Sequence, residues 1–205
     1  MRIRKVLGFL LAAVAACGSA FAADEYKIDP VHSSVRFTVK HMMVSTVPGR
    51  FADFSGAIVY DDKDPSKSSV NVTIKSASIS TDNAQRDTHL RSADFLDAEK
   101  FPEITFQSKS VEKKGDGFVA HGKLTIRGVP KDVDLPFTLT GPLTTPRGKM
   151  MGADAGLTVN RQDYGVSWSR ALDGGGVVVS NDVKIELNVE ARTPPPAAPA
   201  PTPGK

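Results

Sequence analysis

RDTHLRSADFLDAEKFPEITFQS, residues 86–108, is the stretch that mixes helix-starting signals with paired charges, a histidine and several aromatic residues. On either side of it the sequence alternates in the manner of short strands. Thr81 and Asp82 are good N-cap residues, so we predict a helix that begins there and extends to about Leu96. Ser92 is a candidate cap for a second short helix, which must stop before Pro102. The stretch is predicted to be a lid on an all-β body.

The lid has an apolar side and a charged side. Leu90, Phe95, Leu96 and Phe101 are expected to pack onto one end of the body. The charged residues between them should stay in water or form pairs, and Asp87 with Arg91 has the i, i+4 spacing of a helical ion pair.

The body is predicted from alternation of apolar and polar residues with period two. Val35, Phe37 and Val39 alternate with polar neighbours, and the same pattern recurs about eight times along the chain. Met42–Met43 and Pro48–Gly49 are expected to interrupt it, and Pro136 predicts an edge or an irregularity. The connections are mostly short, which requires antiparallel neighbours. We therefore predict an all-β, antiparallel body of about eight strands with one short inserted helical segment, folded either as a barrel or as a two-sheet sandwich.

Small residues occupy several positions in the presumed inward phase of the strands. An eight-stranded barrel can hold one small ligand if its interior is not packed solid, and small residues would leave such space. They would equally accommodate bulky partners in a filled core, and the pattern alone does not separate the two interpretations. The positions concerned are Gly56, Ala120, Gly122, Ala153 and Ala155.

Five segments together resemble the YceI-like family of periplasmic polyisoprenoid-binding proteins. They are YKIDPVHSSVRFTVKH, VPGRFADFSG, RDTHLRSADFLDAEKFPEITF, GKLTIRGVPKDVDLP and NRQDYGVSW, and the resemblance covers roughly Tyr26 to Glu190. It implies that the body is an antiparallel, eight-stranded lipocalin-like barrel with one short inserted helical segment, whose interior binds a long apolar chain. It also implies secretion of the protein, and binding rather than catalysis. The proline-rich tail lies outside the family core and inherits no function from it.

The two ends of the chain are predicted to lie outside the fold. Residues 1–22 have a basic start, a short apolar run and the small residues Ala20-Phe21-Ala22, which predicts a signal peptide and a periplasmic protein. In an alternative interpretation, Cys17 is the lipidated residue of a lipoprotein. Residues 23–192 then form the barrel domain, and the proline-rich residues 193–205 form a disordered tail, with a tether as the alternative.

Charge and cysteine usage exclude several classes of function. Without the three cations of the leader, 23 basic residues face 23 acidic ones, so nothing in the charge supports binding of nucleic acid. No transmembrane segment is predicted, because the leader's apolar run is too short to span a bilayer. Cys17 is the only cysteine, which leaves the body without a thiol or a disulfide.

Catalytic and metal-binding signatures are weak. His32, His41, His89 and His121 do not form close pairs, and the sequence has no GxSxG elbow. We expect no metal, no cofactor and no enzyme activity. His41 is expected to face inward near the rim, His121 to be exposed, and His89 to anchor the lid to the barrel, with ligand contact as the alternative.

The sequence therefore predicts an exported carrier or store of a long-chain isoprenoid, such as a polyprenyl phosphate or a quinone-type lipid. The alternatives are a lipid-modifying enzyme that uses His89 and a non-catalytic structural module of the envelope. A homodimer is left open. The predicted ligand-binding residues are Phe37, Val39, Phe54, Ile58, Ile74, Leu90, Phe95, Phe106, Leu124, Leu135, Phe137, Leu157 and Trp168.

Overall fold

The structure is a computed structural model, and it describes residues 23–173 and 175–195. The signal peptide and nearly all of the proline-rich tail that the sequence predicts lie outside these residues. The described chain forms strands β1 (Asp24–Ile28), β2 (Ser34–His41), β3 (Ser45–Phe51), β4 (Phe54–Tyr60), β5 (Ser69–Lys75), β6 (Ile79–Ser80), β7 (Glu103–Lys114), β8 (Gly117–Ile126), β9 (Val129–Thr145), β10 (Gly148–Asn160) and β11 (Val179–Arg192). The α-helix α1 spans Ala84–Arg91, and short 3₁₀ turns span Pro65–Lys67, Ser76–Ser78 and Arg161–Tyr164.

Eight of these strands close into a ring in which every pairing is antiparallel. The order around the ring is β1-β4-β5-β7-β8-β9-β10-β11, and β11 pairs with β1 to complete it. The predicted fold class is thus confirmed. The ring closes through few residues, because β11 meets β1 only at Lys27↔Arg192 and Ile28↔Ala191.

The remaining strands form a flap on the same edge of β11. Strand β2 pairs with β11 from Val179 to Asn188, next to the short stretch that β1 occupies. Strand β3 pairs with β2, and β6 pairs with the end of β3. Strands β1 and β2 therefore both pair with the same edge of β11. Strand β1 belongs to the ring, whereas β2, β3 and β6 form the flap.

The alternation had predicted that the Pro48–Gly49 pair interrupts a strand, and this prediction is wrong. Both residues lie inside β3, where Pro48 is opposite Thr38 and Gly49 is opposite Phe37. Proline is tolerated here because the described part of β3 pairs on its second edge only at Arg50 and Phe51, as in an edge strand. Met42 and Met43 do form the turn between β2 and β3.

Pro136 marks the point where two strands of the ring separate. It pairs with Val119 of β8, but the pairing of β9 with β10 ends one residue later in β9, at Phe137↔Ala155. Proline has no N–H to give to a ladder, so its position suits the end of the pairing. Toward the helix, the first part of β9 is paired only with β8 among the described strands.

The two ends of the barrel differ in how they are filled. At the end away from α1, Tyr26, Ile58, Met151 and Ala191 form a small buried cluster that closes the barrel. At the helix end, a longer cluster of core residues continues into side chains that are only partly buried. Between those partly buried side chains lies the cavity described next.

Candidate ligand-binding cavity

A cavity of about 190 Å³ lies inside the barrel beneath α1. Strands from both the ring and the flap contribute to its wall, and the lid contributes Leu90, Phe95 and Leu96. Its walls are apolar except at Arg36, Arg161 and Tyr164. The other lining residues are Val35, Phe37, Val39, Phe51, Val72, Ile74, Ile79, Ile104, Phe106, Leu124, Ile126, Val133, Leu135, Leu157, Val159, Val166, Val179, Val183, Ile185 and Leu187.

The alternation along β11 shows why the wall is apolar. Val183, Ile185 and Leu187 face the cavity, whereas the polar residues between them are exposed. The three apolar side chains are only partly buried, although they point into the barrel. Apolar side chains in a filled core touch neighbours on all sides, so partial burial here reflects space that the chain does not fill.

Nine of the thirteen residues predicted to bind the ligand lie on this wall. Whether they contact a ligand remains a prediction, but the fold brings them together around one space. They are Phe37, Val39, Ile74, Leu90, Phe95, Phe106, Leu124, Leu135 and Leu157.

The other four predicted residues lie away from the cavity wall. Phe54 and Ile58 are each 7 % exposed and belong to the packed core. Phe137 stacks on Phe118 with ring centroids 5.4 Å apart, so it fills the barrel rather than lining the space. Trp168 packs on the lid, where its ring centroid is 5.2 Å from that of Phe95. The period-two pattern predicts which face of the sheet a side chain is on, but not its height along the barrel axis. The sequence therefore could not separate these four residues from those of the cavity wall.

Two glycines of the inward phase, Gly56 and Gly122, make room for bulky partners. A Cβ at Gly122 would lie 2.7 Å from Cζ of Phe106, and a Cβ at Gly56 would lie 2.8 Å from Cδ1 of Ile28. Ala120 is fully buried in the core. The cavity therefore does not arise from these glycines, and of the two interpretations the structure favours accommodation of large side chains.

The lid begins one residue later than the predicted caps. Asn83 is the N-cap of α1, and its side-chain oxygen accepts a hydrogen bond from the backbone N–H of Arg86. The helix ends at Arg91, where Ser92 turns the chain and its hydroxyl donates to the carbonyl oxygen of His89. Residues 93–100 form turns rather than the second short helix that was expected.

Asp87 anchors the helix to the strand edge instead of pairing with Arg91. Its Oδ1 accepts from the backbone N–H of Thr81 at 2.8 Å and from the hydroxyl of Thr81 at 2.6 Å. Burial raises the pKa of the Asp87 carboxyl, but the hydrogen bonds from Thr81 and the nearby charges of Arg91 and Arg86 outweigh it and hold the pKa below its ordinary value. Arg91 donates to the carbonyl oxygens of Ala77 and Ile79.

His89 lies on the outer side of the lid. Its Nε2 is 2.8 Å from Oδ2 of Asp94, and its ring makes edge contacts with Phe95 and Trp168 at 5.0 and 5.3 Å. It is not among the residues of the cavity wall. Arg127, in the β8–β9 turn, donates to the carbonyl oxygens of Ala93 and Gly165 and so ties the lid to the barrel. The hydrogen bond of His89 thus stays within the lid, and the anchor to the barrel that the sequence assigned to His89 is made by Arg127.

The other histidines are on the outside of the barrel. His41 does not face inward as expected: it is exposed at the last residue of β2, beside the β2–β3 turn. His121 is partly buried on the polar face, with Nδ1 2.6 Å from Oδ1 of Asp134. Hydrogen bonding to Asp134 and Glu112 raises the pKa of His121 above its ordinary value.

One group of residues on the surface has the spacing of metal ligands. Asp29, His32 and Glu190 place their ligand atoms within 4.8 Å of one another. Arg192 pairs with both carboxylates, so one of their two negative charges is already balanced within the protein. This group lies away from the cavity, and it gives no support to a metal in the ligand site.

Arg161 is the functional candidate that the sequence did not single out. It follows β10, is 6 % exposed, and belongs to the cavity wall. In the sequence, NRQDYGVSW stood out only as one of the five segments that carry the family resemblance. Tyr164, from the same turn, also lines the cavity and is 2 % exposed. A polar residue directly after an apolar strand was the only signal of this role in the sequence.

None of the helices in residues 23–173 and 175–195 is long and apolar enough to cross a membrane.

The chain is similar in sequence to known proteins. The model of the YceI-like domain matches residues 26–191. Protein YceI of Salmonella newport is 44 % identical over 190 residues, which cover 91 % of this chain and 96 % of the relative.

Solved structures agree with the fold. BcnA of Burkholderia cenocepacia superposes with a TM-score of 0.70 at 24 % identity, over 80 % of this chain and 98 % of that protein. A polyisoprenoid binding domain from Saccharophagus degradans, implicated in plant cell wall breakdown, superposes with a TM-score of 0.62 at 16 % identity, over 82 % and 98 % of the two chains. A closed barrel, an apolar cavity and a match over nearly the whole described chain lead to one conclusion: the protein belongs to the YceI-like family.

Proposed function

We propose that this protein binds a long-chain isoprenoid inside its barrel and carries or stores it outside the cytoplasm. The observation that carries the proposal is the apolar cavity beneath the lid, with a volume of about 190 Å³. The membership of the family, and a structural neighbour described as a polyisoprenoid binding domain, support the choice of ligand. The leader predicted over residues 1–22 supports export to the periplasm.

Binding would be driven by removal of the chain from water. Each CH₂ group buried in an apolar site contributes about 0.8 kcal/mol, so a long chain needs few polar contacts. The cavity wall suits this mode, because strands β5, β7, β8, β9, β10 and β11 all present aliphatic or aromatic side chains to it. The lid would exclude water from the bound chain through Leu90, Phe95 and Leu96.

We propose binding rather than catalysis as the activity. Acid–base chemistry on a bound lipid needs a titratable side chain within hydrogen-bond reach of it. Among the described residues, the cavity wall carries only Arg36, Arg161 and Tyr164 as polar side chains. Burial raises the pKa of Tyr164, so its hydroxyl is not a base at neutral pH, and His89 with Asp94 lies outside the wall.

The test is extraction of the native ligand. The protein is expressed with its leader, purified without detergent, extracted with organic solvent, and the extract is analysed by mass spectrometry. The expected result is a long-chain isoprenoid in near-stoichiometric amount. The extracted protein should then take up geranylgeraniol, followed by the fluorescence of Trp168, which packs on Phe95 of the lid. Recovery of no apolar compound, together with no uptake, would contradict the proposal.

A further inference from the structure

Arg161 is a buried cation in the wall of an apolar cavity. Its guanidinium is held by three neutral oxygen atoms: Nε donates to the carbonyl of Ser180 at 3.0 Å, Nη1 to the carbonyl of Val166 at 2.7 Å, and Nη2 to Oδ1 of Asn181 at 3.1 Å. These bonds fix the plane of the guanidinium. A guanidinium has five N–H groups, so one on Nη1 and one on Nη2 remain after these three bonds.

No carboxylate compensates this charge. Within the described residues, which include every Asp and Glu of the chain, no side-chain carboxylate forms an ion pair with Arg161. Arg50 and Arg192, by contrast, are each paired with a carboxylate. Burial lowers the pKa of the Arg161 guanidinium, and no neighbouring charge opposes that effect. A buried ion without a partner is costly, and such groups are normally paired or used.

We propose that Arg161 binds the anionic head group of the lipid, a carboxylate or a phosphate monoester, and so makes the barrel selective for charged over neutral long-chain ligands. This inference rests on the proposed function. The head group would meet the two remaining N–H groups of Arg161 beneath the lid, while the tail follows the apolar wall toward Leu157 and Ile185. A planar guanidinium matches a carboxylate or phosphate with two parallel hydrogen bonds.

The site also offers a second polar group. Tyr164 lies three residues after Arg161, lines the same cavity and is 2 % exposed. Burial raises the pKa of its hydroxyl, with a further contribution from Asp163, so it is a neutral hydrogen-bond donor at physiological pH. Together, a cation and a neutral hydroxyl suit an anionic head group better than a quinone ring, which needs no positive charge.

The experiment compares three ligands that share one C20 isoprenoid tail: geranylgeranoic acid, geranylgeranyl phosphate and geranylgeraniol. Each is titrated into extracted full-length protein at pH 7.5, with Trp168 fluorescence as the readout. We expect the anionic ligands to bind at least roughly tenfold more tightly than the alcohol, because only they can form a charge-assisted bidentate contact with the buried, unpaired guanidinium. The acid and the phosphate identify which head group fits better.

Variants separate this role from a structural one. In Arg161→Gln the ratio of the affinities for anionic and neutral ligands should fall to near unity. The affinity for geranylgeraniol itself should change less than about twofold, which corresponds to about 0.4 kcal/mol. Arg161→Lys keeps the charge but loses the planar fork, so it should retain part of the preference. Arg127→Gln is the matched control, because Arg127 also binds carbonyl oxygens at this end yet is not on the cavity wall. It should keep the full preference.

Each possible result of these titrations supports or refutes the proposal. An equal affinity of the wild-type protein for acid, phosphate and alcohol would refute the selectivity and leave the proposed function standing. Loss of the preference in Arg36→Gln but not in Arg161→Gln would place the head group at the other, exposed cation of the wall. Failure of all three ligands to bind would reject the proposed function and this inference together. If circular dichroism shows that Arg161→Gln does not fold, Arg161→Lys carries the comparison, and an unchanged preference ratio there, with unchanged affinities, would refute the bidentate contact.

Discussion

Phe37 and Gly49 face each other across β2 and β3, and the aromatic ring occupies the space that a side chain at position 49 would need. A Cβ built on Gly49 would lie 2.2 Å from Cζ of Phe37. The same side chain lines the cavity. A glycine on the flap therefore determines how far an aromatic side chain extends into the ligand space.

Gly49→Ala should reduce ligand capacity more than stability. The added methyl group pushes the Phe37 ring toward the cavity, where space is available, so the loss of unfolding free energy should stay below about 2 kcal/mol. Each CH₂ of ligand that the ring displaces should weaken binding about fourfold. Urea unfolding and titration with geranylgeraniol measure the two effects. Gly152→Ala is the control, because its Cβ would meet Thr140 at an ordinary 3.7 Å. Equal affinities in the two variants would contradict the prediction.

Leu157→Trp should block the cavity. Leu157 lines the wall and is partly buried, so a larger side chain can extend into the open space. If the indole excludes only two CH₂ groups, affinity should fall about fifteenfold, since about 1.6 kcal/mol of burial is lost. Thr158→Trp places the same side chain on the outer face of β10 and should leave affinity unchanged. Uptake of a spin-labelled or fluorescent fatty chain provides the measurement, and unaltered uptake by Leu157→Trp would mean that the ligand lies elsewhere.

Asp87→Asn should destabilise the protein in a pH-dependent manner. The carboxylate accepts two hydrogen bonds from Thr81, and loss of bonds to a charged, buried acceptor costs about 1.5–3 kcal/mol. Because the folded-state pKa of Asp87 is depressed, its contribution is present above the unfolded pKa of about 3.9 and is lost as the pH falls through the folded value. The difference in unfolding free energy between wild type and Asp87→Asn should therefore be full at pH 7 and shrink below about pH 4.

Asp116→Asn is the control for removal of one negative charge, since Asp116 lies exposed in the β7–β8 turn. It should change the unfolding free energy by less than about 0.5 kcal/mol at pH 7. A difference for Asp87→Asn that stays constant from pH 7 to pH 3 would show that the carboxylate charge does not hold the lid.

His89→Ala distinguishes a binding protein from an enzyme. His89 bonds to Asp94 and packs on Phe95, so its removal should loosen the lid and speed ligand release, with the lipid chemically unchanged in both proteins. Stopped-flow displacement measures the release rate, and mass spectrometry of the lipid after prolonged incubation detects any reaction. His121→Ala, on the outer face of β8, should match wild type in both assays. Conversion of the lipid by wild type but not by His89→Ala would establish the enzyme instead.

Period-two alternation and short connections were sufficient to predict the antiparallel all-β body, the N-cap signals predicted the helix, and the family resemblance implied the closed barrel. The alternation assigned Phe37, Leu124 and Leu157 to the inward face, and the structure places all three on the cavity wall. The alternation did not predict β3 correctly, because this strand contains a proline and a glycine, which are uncommon in strands. Pro48 and Gly49 lie within β3 because the flap tolerates a proline on its open edge and because Phe37 fills the space above the glycine.

The site was less predictable than the fold. Phe54 and Leu157 have the same alternation phase and similar hydrophobicity, but Phe54 is in the packed core and Leu157 beside the cavity. The difference depends on barrel shear and on where the lid sits, neither of which is written in a local pattern. Arg161 was missed for the same reason: only the fold shows that its charge is buried without a carboxylate beside it.

The closure of the ring by Lys27↔Arg192 and Ile28↔Ala191 has a consequence for how the chain folds. These pairs join the first strand to the last, so nearly the whole chain must be ordered before the barrel exists. Contacts between residues so far apart in sequence are slow to form, because the loop between them must be closed before any stability is gained. A partly synthesised chain would thus have apolar strands but no enclosed space. Loading with lipid has to follow the last strand, β11, into place.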